Sequence, residues 1–559
     1  MDLDDPKIIA ACEKLGWPGL RPLQKEVMGP IFEGRNLVAV LPTSAGKSGI
    51  YQVPALAREG LVVVVSPLIA LMIDQVDRLK KHGIKAASLN SMNTAAEKKQ
   101  TLLDLKEGSL KLLYISPERL EHLDPSIFNG NPVQMWAVDE AHCISEWGHD
   151  FRPSYTRLGK AIRKFNPQQI VALTATANAR VIAEIAQVLG INDCVFKTYS
   201  PDRPNITYMA VGRRVSLTAM VERAGSPCIV YGSTRKSVEL AAAELQRGGF
   251  NAEFYHAKMN KKKRGEVQRQ FLDGEIDVVT ATCAFGMGID HSSIRGVVHL
   301  EMPTSLEAYT QEAGRAGRDG KPSLALCRST FETLKKANGI SLLSWPTPHM
   351  IDEVWKRMEP LFESDGCDTG MRNRIHMTNE KIAQKIDFHP ITVGSAIRFL
   401  QRGGSIRKTS YQEKLVRVKI NESVALSLRG KKEVAVIDAL LDYENHLHVV
   451  AGSVSFFKEV IGLDKTYAER LESKGALEVT WADRVQMLER KRTGAAYFDR
   501  ERATELRKRS VDRVQSAAGF LSTPTCRRQY LLDYFGTFEG SSVEECCDRC
   551  VISDRKSVA

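Results

Sequence analysis

Short, continuously apolar runs separated by amphipathic stretches limit this fold more than any other feature of the chain. Leu37–Leu41, Leu61–Val65, Leu112–Ile115, Met135–Val138 and Ile170–Leu173 are strand-sized. They lack the polar alternation of a strand with one wet face, so they read as strands buried on both sides. Helical patterns such as Ile69–Lys81 lie between them. Buried strands alternating with helices specify an α/β fold with a parallel sheet. The pattern restarts at Cys228–Tyr231, after a polar stretch around Ser200–Asn205, and continues through Ala252–Tyr255, Val278–Ala281 and Val297–Leu300. Two α/β lobes, each with a parallel sheet, are expected over residues 1–205 and 206–340. A chain of 559 residues is too long for one core, so further domains should follow.

The texture changes after the second lobe. Trp345–Pro348 reads as a linker. Thr378 is placed to cap a helix through Lys385, and a second helix fits Pro390–Arg402 before Gly403-Gly404. Ser405–Thr409 and Lys414–Ile420 then read as a hairpin with Tyr411 at its tip. Helix, turn, helix, hairpin is the order of a winged helix, so 341–425 is expected to be a linker and a winged-helix-like domain. A fainter echo gives a possible second unit over 426–495. It has a helix near Tyr467–Ser473 and a hairpin of Leu477–Thr480 with Val485–Leu488. Residues 496–559, which hold four clustered cysteines, are expected to form a helical metal-binding module.

Charge and cysteine usage narrow the class. The net charge is +11 and the pI is near 9.0, which points to a polyanionic partner without naming it. Residues 481–530 hold 12 Lys/Arg against 6 Asp/Glu, so the basicity is concentrated there. No signal peptide and no apolar run of membrane-spanning length is found, so no membrane partner is expected. Eleven cysteines in a chain this long are no disulfide framework. Seven are scattered, whereas Cys526, Cys546, Cys547 and Cys550 fall within 25 residues, as metal ligands do.

Two motifs carry phosphate chemistry. Leu41-Pro-Thr-Ser-Ala-Gly-Lys-Ser48 follows the first strand and precedes a helix. Thr43, Ser44, Ala45 and Gly46 supply a loop whose N–H groups cradle phosphates. Lys47 reaches the β/γ oxygens and Ser48 can hold Mg²⁺. Leu41 stands where the full pattern has its first glycine. Trp136-Ala-Val-Asp-Glu-Ala-His142 ends a buried strand in two carboxylates. Asp139 can reach the Mg²⁺ shell, and Glu140 can polarise the attacking water.

These motifs and their neighbours carry a specific resemblance. Asp139-Glu140-Ala141-His142 resembles the DEAH-type box of superfamily 2 helicases, which adds His142 to the catalytic set. Cys143-Ile-Ser-Glu-Trp-Gly-His-Asp-Phe-Arg-Pro153 resembles the aromatic-rich loop of the RecQ helicase family. That likeness implies DNA contact by Trp147, His149, Phe151 and Arg152. Arg21-Pro-Leu-Gln24 resembles the motif whose glutamine reads adenine. Ser66-Pro-Leu-Ile-Ala-Leu-Met72 resembles a motif that implies DNA contact at Ser66. Leu173-Thr-Ala-Thr-Ala177, Asp202-Arg-Pro-Asn205, Ile229–Val238 and Ala284-Phe-Gly-Met-Gly-Ile-Asp290 resemble further family motifs in order. Gln311-Glu-Ala-Gly-Arg-Ala-Gly-Arg-Asp-Gly320 resembles the family's arginine motif, so Arg315 and Arg318 are expected to neutralise the transferring phosphate.

Thr525-Cys-Arg-Arg-Gln-Tyr-Leu-Leu-Asp-Tyr-Phe-Gly536 and Cys547-Asp-Arg-Cys550 resemble the family's zinc module. The usual third cysteine is Glu544 here, so Cys546 or Glu544 completes the Zn²⁺ site. The family order is also altered, because the winged-helix-like stretch precedes the zinc module. The resemblance implies that the two lobes are RecA-like, and that the chain is an ATP-dependent 3′–5′ helicase that unwinds forked or junction DNA in repair, recombination and replication. It implies ATP, Mg²⁺ and Zn²⁺ as cofactors. Arg402, Arg407, Lys408 and Tyr411 are expected to meet duplex DNA. A monomer in the cytoplasm, at a bacterial nucleoid or otherwise on chromosomes, is expected. Two alternatives stay open: an RNA helicase or remodeller, and a DNA-binding scaffold with an inactive motor.

Overall fold

The computed structural model describes residues 5–550 apart from 44, 129–130, 146–152, 192, 213, 284, 286–292, 329–330, 369–373, 410–413, 443–448, 454–455, 485–486 and 537–545. The chain divides into two compact units. One combines residues 1–337 with 513–559, and the other is residues 338–512.

Among the described residues the first lobe has seven strands: β1 (Asn36–Val40), β2 (Leu61–Val65), β3 (Ala86–Leu89), β4 (Leu112–Ile115), β5 (Val133–Val138), β6 (Ile170–Thr174) and β7 (Cys194–Thr198). They form one parallel sheet in the order β3-β4-β2-β5-β6-β1-β7. Period-two geometry explains why the apolar runs are continuous. In β2, Leu61, Val63 and Val65 enter the core on one face, while Val62 and Val64 enter the core on the other. All five are fully buried, and each contributes about 1.5–3 kcal/mol of transfer free energy. No polar position could be placed without losing that.

The second lobe repeats the plan with β8 (Ile206–Val211), β9 (Cys228–Tyr231), β10 (Ala252–Tyr255), β11 (Val278–Ala281), β12 (Gly296–His299) and β13 (Ser323–Arg328). The order is β10-β11-β9-β12-β13-β8, again parallel. The basic run that opens Lys261–Leu272 starts a helix capped by Asn260.

Strand β8 is an edge, and an open edge leaves backbone groups unpaired. The cysteine-bearing tail covers it: Tyr208 N–H donates to the Cys546 carbonyl at 3.2 Å. Phe520, Leu521, Leu531, Cys546 and Cys547 share one core with Ile206, Tyr208 and Tyr309 of the second lobe. The zinc-module sequence therefore packs on the motor, as the family order would have it, although about 200 residues intervene.

The intervening unit holds the two helices expected from the sequence, Asn379–Ile386 and Pro390–Arg402. Thr378 caps the first, accepting from Lys381 N–H at 3.3 Å. The expected hairpins do not form. Ile406–Thr409 pairs with Met487–Arg490, which also pairs with Arg374–His376. Lys414–Ile420 pairs instead with Val449–Ser453 and Leu477–Arg484. The cores explain the exchange. Ile406 and Leu488 pack with Ile382, Val393 and Leu400, whereas Val416, Val418 and Ile420 pack with Ile437, Leu440 and Leu471. A second helix-and-sheet unit is thus nested between the two strands of the first unit's wing. Tyr411 lies outside the described residues, and the strands on either side of 410–413 belong to different sheets.

Candidate functional site

The ends of β1 and β5 flank β6, and the crevice above them is where an open parallel sheet binds ligands. A cleft of about 700 Å³ opens there. Its walls carry Arg21, Gln24, Thr43, Gly46, Lys47, Ser48, Asp139, Glu140, Arg315 and Arg318, so residues predicted from four separate motifs meet in one place. Ala45 packs against the first-lobe core instead. Ser44 lies outside the described residues, as do Trp147, His149, Phe151, Arg152 and Glu544.

The phosphate loop leaves β1 through buried Leu41, whose N–H donates to the Thr174 carbonyl at 2.9 Å. An apolar residue suits this position because it closes the core beneath the loop. Gly46 has φ +75, which favours glycine. Gln24 Nε2 donates to its carbonyl at 3.2 Å, while Gln24 Oε1 accepts from Arg21 N–H at 3.0 Å. The glutamine is therefore held in one orientation at the loop. Ser48 opens the helix Gly49–Ala57.

Asp139 ends β5, its N–H donating to the Val65 carbonyl at 2.9 Å. Glu140 has φ 48 and ψ 47, a left-handed conformation uncommon for a residue with a side chain. The turn it makes brings Glu140 Oε2 to 3.3 Å from His142 Nδ1. His142 is buried, and the same nitrogen lies 2.9 Å from Thr174 Oγ1 at the end of β6. Tyr155 O–H donates to the Asp139 carbonyl at 3.2 Å. Burial pushes the Asp139 carboxyl up to about 7. Neighbouring Glu140 adds to the rise, and Lys47 opposes it.

Lobe 2 reaches the cleft from the helix Leu306–Ala313 and the turn after it. A methyl group on Gly314 would collide with Thr43 Oγ1, so glycine permits this approach to the phosphate loop. Arg203 fixes the turn. Its guanidinium is buried and donates to the carbonyls of Gly314 at 2.7 Å, Ala316 at 2.9 Å and Gly317 at 2.8 Å. Asn205 Nδ2 adds bonds to Gly317 and Lys321 carbonyls at 2.8 and 2.9 Å. The sequence motif over 202–205 thus acts as a clamp on the arginine segment.

Sequence reasoning also missed Trp17, Tyr51 and Gln311, which line the cleft. Trp17 was legible as an aromatic four residues before Arg21. Ser66 is buried at the end of β2. Arg402, Arg407 and Lys408 are exposed on the other compact unit.

The four cysteines gather as expected of a metal centre. Sulfur–sulfur distances are 3.4 Å for Cys526–Cys546, 3.7 Å for Cys546–Cys550, 3.5 Å for Cys547–Cys550 and 4.0 Å for Cys526–Cys547. Four thiolates about 2.3 Å from one zinc ion lie about 3.8 Å apart, so the set fits tetrahedral Zn²⁺. Among the described residues, Cys546 joins the other three cysteines in the cluster. Arg527 backs it, donating to Asp548 through Nε at 2.6 Å and Nη2 at 2.9 Å.

Comparison with known proteins agrees with this geometry. Residues 21–185 match the DEAD/DEAH box helicase family, 213–320 the helicase conserved C-terminal domain and 482–551 the RecQ zinc-binding domain. The chain is 39% identical to a probable ATP-dependent DNA helicase RecS of Bacillus subtilis over 364 residues, 63% of this chain and 72% of that protein. The chain belongs to the RecQ family of superfamily 2 helicases. Among other RecQ relatives, it is 43% identical over 318 residues to the ATP-dependent DNA helicase RecQ of Pasteurella multocida, covering 56% of this chain and 50% of that one. The chain spans about half the length of such curated relatives. Among solved structures, the DUF1998 helicase MrfA bound to DNA shares the fold, with a TM-score of 0.50 at 20% identity over 60% of this chain and 50% of that one. No helix among the described residues is long and apolar enough to cross a membrane.

Two outcomes follow from this site. Purified protein should carry about one zinc ion per chain by metal analysis. Cys546→Ser should lower that content, and Glu544→Ala should leave it unchanged; the reverse pattern would assign the fourth ligand to Glu544. The second outcome concerns Asp139. Its folded pKa lies above its unfolded value near 3.9, so the folded state holds the proton more tightly. Its contribution to stability therefore falls between about pH 4 and pH 7 and stays low above that. In chelator without nucleotide, Asp139→Asn should raise the melting temperature more at pH 8 than at pH 5. An equal change at both pH values would contradict the assignment.

Proposed function

We propose that this chain is an ATP-driven motor that unwinds DNA, with 3′–5′ polarity, on forks or junctions arising in repair, recombination and replication. The observation that carries the reading is the single cleft shared by Lys47, Asp139 and Glu140 of one lobe with Arg315 and Arg318 of the other. Trp17, Arg21 and Gln24 form the end of the cleft suited to a base. Lys47 and the backbone around Gly46 suit the phosphates. Ser48 and Asp139 supply the hydroxyl and carboxylate oxygens that Mg²⁺ prefers, and a divalent cation would hold the buried Asp139 ionised. Bound there, the ion supplies charge neutralisation for phosphoryl transfer. Glu140 orients water and accepts its proton, with His142 and Thr174 fixing the carboxylate's surroundings. Arg315 and Arg318 oppose charge on the transferring phosphate, so turnover depends on lobe approach.

DNA is the favoured track. The curated relatives are named as DNA helicases, and the MrfA structure was solved with DNA bound. In the chain, Trp147, His149, Phe151 and Arg152 follow directly after the hydrolytic carboxylates, where stacking on bases can be sensed at the site. Ser66 ends β2 on the same side of the sheet. Arg402, Arg407, Lys408 and Tyr411 belong to the winged-helix-like unit and suit duplex phosphates and a terminal base pair. The reading is of a monomeric, chromosome-associated enzyme.

Purified protein should hydrolyse ATP faster with single-stranded DNA. It should open a fork with a 3′ tail in preference to one with a 5′ tail or an RNA fork. Lys47→Ala should abolish turnover and unwinding, and Trp147→Ala should lower the ratio of DNA-stimulated to basal turnover. Turnover without DNA stimulation, or equal unwinding of an RNA fork, would overturn the DNA assignment.

A further inference from the structure

We propose that Arg528, on the zinc-module helix Arg527–Phe535, is a positioning residue for the arginine segment of the nucleotide cleft. The proposal rests on the reading that this cleft hydrolyses ATP. Arg528 is buried, and its guanidinium grips Asp202 with both arms: Nε lies 2.6 Å from Oδ1, and Nη2 bonds Oδ2. A bidentate arginine–carboxylate pair fixes orientation as well as distance. Asp202 is bonded directly to Arg203, whose guanidinium holds three carbonyls of the turn carrying Arg315 and Arg318. Arg528 therefore acts at one residue's remove on the backbone that aims both arginines.

Two further contacts tie the same tail to the same segment. Tyr534 O–H donates to Glu307 Oε1 at 2.9 Å, in the first turn of the helix Leu306–Ala313. Phe520 packs on Tyr309 of that helix, with ring centroids 4.9 Å apart. The tail thus grips the helix that leads into the arginine segment at Glu307 and Tyr309, and reaches the segment itself through Asp202 and Arg203. Burying an ion pair costs desolvation that its attraction does little more than offset, so apolar packing could stabilise this junction equally well. What the pair adds is direction. A reacting group displaced by about 1 Å can lose on the order of a hundredfold in rate, so a slack clamp would be read in turnover before it is read in nucleotide affinity.

The test is steady-state ATP hydrolysis by full-length, zinc-loaded protein at saturating single-stranded DNA. It compares wild type with Arg528→Ala, Arg528→Lys, Asp202→Ala and the Arg528→Ala/Asp202→Ala double variant. Zinc content and melting temperature are measured alongside. Arg528→Ala should lower kcat about tenfold or more with KM for ATP within about twofold. Arg528→Lys should recover part of the loss. The double variant should be no slower than the slower single one, because both act through one contact. A kcat within twofold of wild type in zinc-loaded Arg528→Ala, a loss carried by KM alone, or additive losses would overturn the proposal. Should Arg528→Ala not fold, Arg528→Lys and Asp202→Asn carry the test with the same criteria. A wild-type chain without turnover overturns the ATPase reading itself, and this inference with it.

Discussion

The buried guanidinium of Arg203 is the interaction on which the rest of the motor depends. The turn after Leu306–Ala313 leaves the carbonyls of Gly314, Ala316 and Gly317 directed inward, and Arg203 donates to all three. A buried cation is tolerated only when its donors are used, and inward carbonyls only when they accept. Each side of the contact thus meets a need of the other. The consequence is a rigid platform for Arg315 and Arg318 opposite the phosphate loop. Gly314, touching Thr43, sets how near that platform comes.

The same junction explains how a rearranged chain keeps the tail on the second lobe. The zinc-binding tail returns to the edge of the second lobe after a compact unit of residues 338–512. Its place on β8 is set by the Tyr208 backbone bond, the shared apolar core and the Arg528–Asp202 pair, none of which depends on how much chain intervenes. A loop closed over more residues costs little extra entropy, so a surface connection can accept a whole domain. Within that domain the principle recurs: the strands Ile406–Thr409 and Met487–Arg490 still pair although a second core is nested between them.

The motor was legible because its signals are local. Runs such as Leu61–Val65 declare burial on both sheet faces, and Lys47, Asp139 and Glu140 stand at strand ends where neighbouring residues announce them. The winged region was legible only as helices. Its strands carry the right alternation, but pairing is decided by which core buries them, and Ile406 and Val416 answer to different cores. Cys546 could not be separated from Glu544 by spacing, since adjacent cysteines do not say which sulfurs face inward; the structure brings the Cys546 sulfur into the group, while Glu544 lies outside the described residues. Arg203 was read only as part of a family motif, because one arginine among 78 basic residues gives no sign that three carbonyls await it.

On the reading that the cleft hydrolyses ATP, lobe 2 completes the site through Arg315 and Arg318 without being needed to hold the nucleotide. Single-turnover hydrolysis by Arg318→Ala, with ATP binding measured on the same protein, addresses it most directly. Binding should stay within about fivefold of wild type while hydrolysis slows by on the order of a thousandfold, as for other arginines acting on a transferring phosphate. Hydrolysis at the wild-type rate, or loss of binding in step with loss of hydrolysis, would contradict it.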